Sequence, residues 1–231
     1  MAKHIGIVAC SAEGAALCYR TICSEASRFM GKHIHPEITM HTYPLGEYMV
    51  HICENNWHEV AKLMLSSAKK LVDAGAELVI CPDNTIHQAF EEVVQASPIP
   101  WIHIVDAVAL EAQRKGCRHL GLTGTKYLMT GPVYHERLKK YGMTCTIPDE
   151  DDREKINQII FSELVNGVFT EKSRLYFNNV IQKLKDRGCE AVILGCTEIP
   201  LLVDPHECPL PVLDSTRLLA RAALEAALKS G

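Results

Sequence analysis

"AGAELVICPDNTIHQA", Ala74 to Ala89, is an apolar run that reads as a buried strand and breaks at Pro82 into a polar turn carrying Asp83, Asn84 and Thr85. The same frame returns 113 residues later as "RGCEAVILGCTEIPLL", Arg187 to Leu202. Gly75 precedes Asp83 by eight residues and Gly188 precedes Cys196 by eight, so Asp83 and Cys196 share one position of a repeated unit. Two further pairs keep nearly that offset. "HIGIVACS" from His4 matches "HLGLTGTK" from His119 at 115, and "IPWIHIVDA" matches "LPVLDSTRL" with Pro100 and Pro211 at 111. Three anchors at near-constant spacing imply an internal duplication.

Outward from these anchors, short apolar runs alternate with longer helical patterns. Strands are expected at Ile5 to Cys10, Glu37 to Thr42, Glu77 to Cys81 and Trp101 to Val105, then at His119 to Gly124, Met143 to Ile147, Ala191 to Gly195 and Pro211 to Asp214. Helical patterns include Trp57 to Ala74, Asp106 to Lys115, Val133 to Tyr141, Asp151 to Asn166 and Lys172 to Arg187. The expected fold is α/β: two similar lobes with parallel central sheets, related by duplication and pseudo-twofold symmetry. The lobes divide as 1–115 and 116–231, with the C-terminal helix free to pack on the first.

Composition narrows the function classes. A 231-residue chain with 47% apolar and 23% charged residues builds a folded core. Its formal charge of -4, with Lys and Arg dispersed, argues against a nucleic-acid surface. No apolar run reaches the roughly 18 residues of a membrane span. The N-terminus enters a strand pattern at once, without signal-peptide character, so a cytoplasmic location is expected. The ten cysteines are scattered and form no Cys-x-x-Cys pair. Most are expected to be reduced, buried small residues. Neither a metal site nor a nucleotide site is expected, since "GLTGTKYLMTG" and "ACSAEGAA" lack the phosphate-loop and dinucleotide spacings.

Ligands of open α/β sheets bind beyond the C-terminal ends of the strands, where Asp83 and Cys196 are expected. Two proton-transfer groups on opposite faces of one carbon are the arrangement needed to invert a stereocentre without a cofactor. Turn amides after Cys196 would stabilise a thiolate, and the Thr197 hydroxyl is placed to meet a substrate carboxylate. Asn84 and Thr85 on one side, and Thr197 and Glu198 on the other, are candidates for a carboxylate nest. Ser11 and Glu13 occupy the loop after the first strand, and Thr125 and Thr130 the corresponding loop of the second half. His87 either orients a carboxylate or is an ordinary buried histidine. Asp83 itself has a second reading, as the cap of the helix that follows.

With these motifs in place, the chain resembles the aspartate/glutamate racemase family from about Ile5 to Leu219. "AVILGCTEIPLL" is similar to the family's second active-site motif, and "GLTGTKYLMTGPVYHERLKKYGM" to the segment opening its second lobe. "IPDEDDREKINQIIFSELVNGVFT", Ile147 to Thr170, resembles the broad-specificity amino-acid racemase branch. The resemblance implies a cofactor-independent amino-acid racemase, a homodimer, and Cys196 as one of two catalytic acid–bases. It departs from the family at Asp83, where a cysteine, or in nearby branches a threonine, precedes Asn-Thr. A carboxylate accepts a proton where threonine ordinarily does not. It departs again in "YPLGEYM", where Glu47 stands in a loop that often carries an arginine for a distal carboxylate. Lys172 or Arg174 is the candidate replacement. Two other functions fit the residues: cofactor-free decarboxylation of a substituted malonate with Cys196 as proton donor, and catalytically silent carboxylate binding.

Overall fold

Parallel strands covered on both faces require continuous apolar runs, and the duplicated segments supply them. The computed structural model describes residues 2–229. In it the chain divides into two units. Unit 1 runs to Ile104 and takes in the chain from Thr216 onward, and unit 2 is Val105–Ser215.

Unit 1 holds β1 (Ile5–Ala9), α1 (Ala12–Met30), β2 (Ile38–Thr42), α2 (Leu45–Cys53), α3 (Trp57–Asp73), β3 (Leu78–Ile80), a 3-10 turn (Thr85–Ala89) running into α4 (Phe90–Ala96), and β4 (Trp101–Ile102). The helix α5 (Ile104–Arg114) follows. Unit 2 continues with β5 (His119–Thr123), α6 (Lys126–Thr130), α7 (Pro132–Lys139), β6 (Thr144–Thr146), α8 (Glu150–Ser162), α9 (Glu171–Asp186), β7 (Ala191–Leu194), α10 (Ile199–Leu202) and β8 (Val212–Asp214). The last helix, α11 (Ser215–Leu228), returns the chain to unit 1, where Arg221 pairs with Glu25 of α1 at 2.8 Å.

Both sheets are parallel, in the orders β2-β1-β3-β4 and β6-β5-β7-β8. The offsets found in the sequence also preserve register. Ile5 pairs with Leu78 as Leu120 pairs with Ala191, and Val79 pairs with Trp101 as Val192 pairs with Val212. Ile5, Ile7, Val79 and Ile80 are fully buried in the first sheet, as are Leu120, Leu122, Val192 and Ile193 in the second. Helices α3 and α9 each stop on a glycine with positive φ, Gly75 at 96° and Gly188 at 86°, a conformation in which a side chain would be strained.

The expected strand "WIHIV" is shorter than its composition suggests. Only Trp101 and Ile102 pair, and α5 begins at Ile104, whose N–H donates to the His87 ring at 3.2 Å instead of to a strand. No helix among the described residues is long and apolar enough to cross a membrane.

Candidate functional site

Each unit delivers a turn just past the end of its third strand, and the two turns are built differently. In unit 1, β3 ends at Ile80, Cys81 is fully buried, and Pro82 carries the chain into the half-buried Asp83. Asp83 Oδ1 accepts the Ile86 N–H at 3.1 Å, so this carboxylate caps the 3-10 turn. The Asp83 carbonyl accepts from His87 Nδ1 at 2.6 Å, and His87 Nε2 accepts from the Ile104 N–H. This pattern assigns a neutral ring with its proton on Nδ1. The ring stacks on Phe90 at 5.3 Å and is 3% exposed. His87 therefore fastens the Asp83 turn to the backbone of Ile104. Asn84 is buried beside it, and Thr85 opens the 3-10 turn.

Behind Asp83 lie two further titratable groups. Burial, then the Asp83 charge, pushes the Cys81 thiol well above its usual range, so Cys81 stays protonated. Tyr48, on α2, is fully buried, and its hydroxyl has no hydrogen-bond partner. Burial is the main cause that pushes its phenol up, with Cys81, Cys10 and Asp83 adding to it.

In unit 2, the Gly195 N–H donates to the Thr123 carbonyl at 2.8 Å. A Cβ on Gly195 would lie 2.7 Å from that carbonyl oxygen and 2.6 Å from Leu128 Cδ2, so only glycine allows this approach. Ser215 Oγ and Thr123 Oγ1 donate to the Leu194 and Ile193 carbonyls at 2.8 and 2.9 Å, supporting the end of β7. Cys196 follows, 8% exposed, and its Sγ–H donates to Glu198 Oε2 at 2.9 Å. The Thr197 hydroxyl donates to the same oxygen at 2.9 Å, and Glu198 is 3% exposed. One buried carboxylate thus receives both donors of the Cys-Thr pair.

The remaining candidates separate into two groups. Ser11 and Thr125 cap α1 and α6, accepting the Gly14 and Leu128 N–H groups at 3.3 and 3.2 Å, each in the loop after the first strand of its unit. Thr130 is exposed, and its hydroxyl donates to the Lys126 carbonyl at 2.8 Å. Glu47 is exposed in the first turn of α2, and Lys172 is exposed in the first turn of α9. Arg174 is bound on both sides, to Glu171 at 2.6 Å and to Glu207.

Other thiols are held neutral. Cys145, 3.2 Å from His135 Nδ1, is pushed up to about 12 by burial, and burial also raises Cys117, Cys189 and Cys208. Among the described residues no group of three or more His, Cys, Asp or Glu side chains is arranged to hold a metal ion.

Sequence reasoning left Tyr48 out and did not foresee that Glu198 meets the thiol directly. The Cys-Thr-Glu order after a strand was the available signal for the second, because side chains two apart in a tight turn can converge. Nothing in the local pattern around Tyr48 pointed to Asp83.

A family model described as Asp/Glu/hydantoin racemase matches residues 6–223. A broad-specificity amino-acid racemase of Bacillus subtilis is 24% identical over 166 residues, which cover 72% of this chain and 71% of that protein. The crystal structure of an aspartate racemase homologue from Pyrococcus horikoshii is 31% identical and superposes with a TM-score of 0.85, covering 98% of this chain and 100% of the other. A protein of Yersinia pestis is 34% identical with a TM-score of 0.89, at the same coverage of both chains.

Proposed function

The chain belongs to the Asp/Glu/hydantoin racemase family, and on that premise we propose that it is a cofactor-independent amino-acid racemase, working as a cytoplasmic homodimer, in which Asp83 and Cys196 exchange protons with opposite faces of one Cα. The observation that carries the reading is the register-true duplication. It gives Asp83 and Cys196 the same place beyond the third strand of their units.

In the proposed reaction the Asp83 carboxylate takes the Cα proton. The electron pair left on Cα spreads into the substrate α-carboxylate, which backbone N–H groups of the turns stabilise. The Cys196 thiol then gives its proton to the opposite face. Reference values of about 3.9 for Asp and about 8.5 for Cys make carboxylate plus thiol the resting pair, by about 6 kcal/mol at 1.36 kcal/mol per unit. This asymmetry does not bias the product, because free enantiomers have equal energy. The two kcat/KM values must therefore agree, while kcat and KM separately differ between directions.

The test is deuterium incorporation at Cα from each enantiomer of acidic, neutral and basic amino acids in heavy water. Wild type exchanges and racemises at least one of these side-chain classes. Asp83→Asn loses at least about 100-fold, the usual scale of a positioned general base. Unchanged racemisation in that variant would remove Asp83 from the mechanism. Carbon dioxide release from substituted malonates without Cα exchange would select the single-donor decarboxylase, and ligand binding without either reaction would select the silent carboxylate binder.

A further inference from the structure

We propose that Glu198 is the positioning residue that holds the proton on Cys196 Sγ in the substrate-free enzyme, so that Cys196 meets its substrate as a proton donor. The catalytic consequence rests on the racemase reading; the proton-holding role does not.

The geometry is direct. The Sγ–H bond is aimed at Glu198 Oε2 over 2.9 Å, and both residues are less than a tenth exposed. Loss of the thiol proton would leave a thiolate against a carboxylate in a turn with little solvent to screen them, a like-charge contact that favours the protonated sulfur. Among the described residues, the neighbouring elements carry further carboxylates and a protonated phenol. Strand β8 ends on Asp214, in register with Leu194. Tyr134 of α7 is hydrogen-bonded to Ser215, and burial keeps its phenol protonated. The loop after α10 carries Asp204, His206 and Glu207, and Arg174 is paired with Glu171 and Glu207.

Proton accounting follows from this arrangement. After Asp83 has taken the Cα proton, the S–H bond breaks as the new C–H bond forms, and the thiolate is left beside the Glu198 carboxylate. That repulsion drives the sulfur to regain a proton, from solvent between turnovers as Asp83 releases its own to solvent, or from Cα of the opposite enantiomer in the reverse reaction, in which Asp83 returns its proton to the other face.

The experiment is the pH profile of iodoacetamide alkylation at Cys196, resolved by peptide mass spectrometry from the other nine of the ten cysteines. Replacing the charge with a neutral acceptor in Glu198→Gln should lower the alkylation midpoint by about one pH unit or more. Glu198→Asp, which keeps the charge, should stay nearer the wild-type midpoint. A Gln variant whose midpoint is unchanged or raised overturns the proposal, and so does one whose KM rises at constant midpoint, which would make Glu198 a substrate ligand. Should Glu198→Gln fail to fold, Thr197→Val carries the test: with the competing donor gone, the carboxylate acts on the thiol alone and the midpoint rises. A midpoint that stays or falls in that variant overturns the proposal. Alkylation needs no substrate, so a wild type that exchanges no Cα proton would end the racemase reading and leave this measurement standing.

Discussion

The two ends of the duplicated sheets have kept different things. At the N-terminal ends of the strands the two units share two hydrogen bonds. His4 Nε2 meets Thr39 Oγ1 at 2.9 Å as His119 Nε2 meets Thr146 Oγ1 at 2.7 Å, and Glu77 and Glu190 accept the backbone N–H groups of His4 and His119, both at 2.9 Å. At the C-terminal ends the positions match and the chemistry does not. Unit 1 presents a carboxylate that caps its own turn, with the backbone carbonyl of the same residue held by a histidine, and unit 2 presents a thiol held by a carboxylate. The duplication thus specifies where a functional group stands, whereas the residues within each turn specify what it does.

The sharpest way to break this comparison is at the residues that admit each turn. Gly195 and Pro82 are equivalent by the 113-residue offset, yet Gly195 is pressed against the Thr123 carbonyl and Pro82 has no N–H to offer such a partner. Gly195→Ala must displace backbone, and is expected to cost about 3 kcal/mol of stability and about 100-fold in kcat/KM through displacement of Cys196. Pro82→Ala should cost about 1 kcal/mol, chiefly through the unfolded chain. Urea unfolding and racemisation assays of the pair decide it: equal effects would mean that the two turns are not differently built.

The histidine of the first turn comes next in size. His87→Phe keeps the stacking on Phe90 and removes both ring nitrogens, leaving the Asp83 carbonyl without its His87 donor and the Ile104 N–H without its acceptor. A loss of about 2 kcal/mol is expected in urea unfolding, with a larger fall in kcat than in thiol alkylation at Cys196. A variant as stable as wild type would show that the histidine is not what secures the turn.

These contacts also mark how far the sequence could be read. All eight strand segments and their parallel, duplicated arrangement were legible, because a short strand pattern followed by a turn residue is a local signal that here occurs twice; the order and register of the strands were not, since they depend on contacts remote in sequence. The places of Asp83 and Cys196 followed from the same spacing. The ends of elements did not, since they depend on partners remote in sequence: α5 starts at Ile104 because a histidine 17 residues earlier accepts its N–H. The expected cap at Asp83 and its expected catalytic role are compatible, since one oxygen caps the turn and a carboxylate has two. The pairing of Arg174 with Glu207 was invisible, because Glu207 lies 33 residues away and nothing local announces it.

The smallest effect gives the finest test. Each unit buries one tyrosine completely, Tyr48 in unit 1 and Tyr134 in unit 2, and burial pushes both phenols up. The Tyr134 hydroxyl is bonded to Ser215, which in turn holds the Leu194 carbonyl at the end of β7, whereas the Tyr48 hydroxyl lies near Asp83 with no partner. A made hydrogen bond contributes about 1 kcal/mol net, and an unmade buried one costs about as much or more. Tyr134→Phe should therefore lose about 1 kcal/mol and loosen the Cys196 turn, while Tyr48→Phe should be neutral or gain up to about 1 kcal/mol. Urea midpoints of the two variants measure this difference. A destabilised Tyr48→Phe would show that the hydroxyl has a partner in solution, and the nearest group whose chemistry would then change is the Asp83 carboxylate.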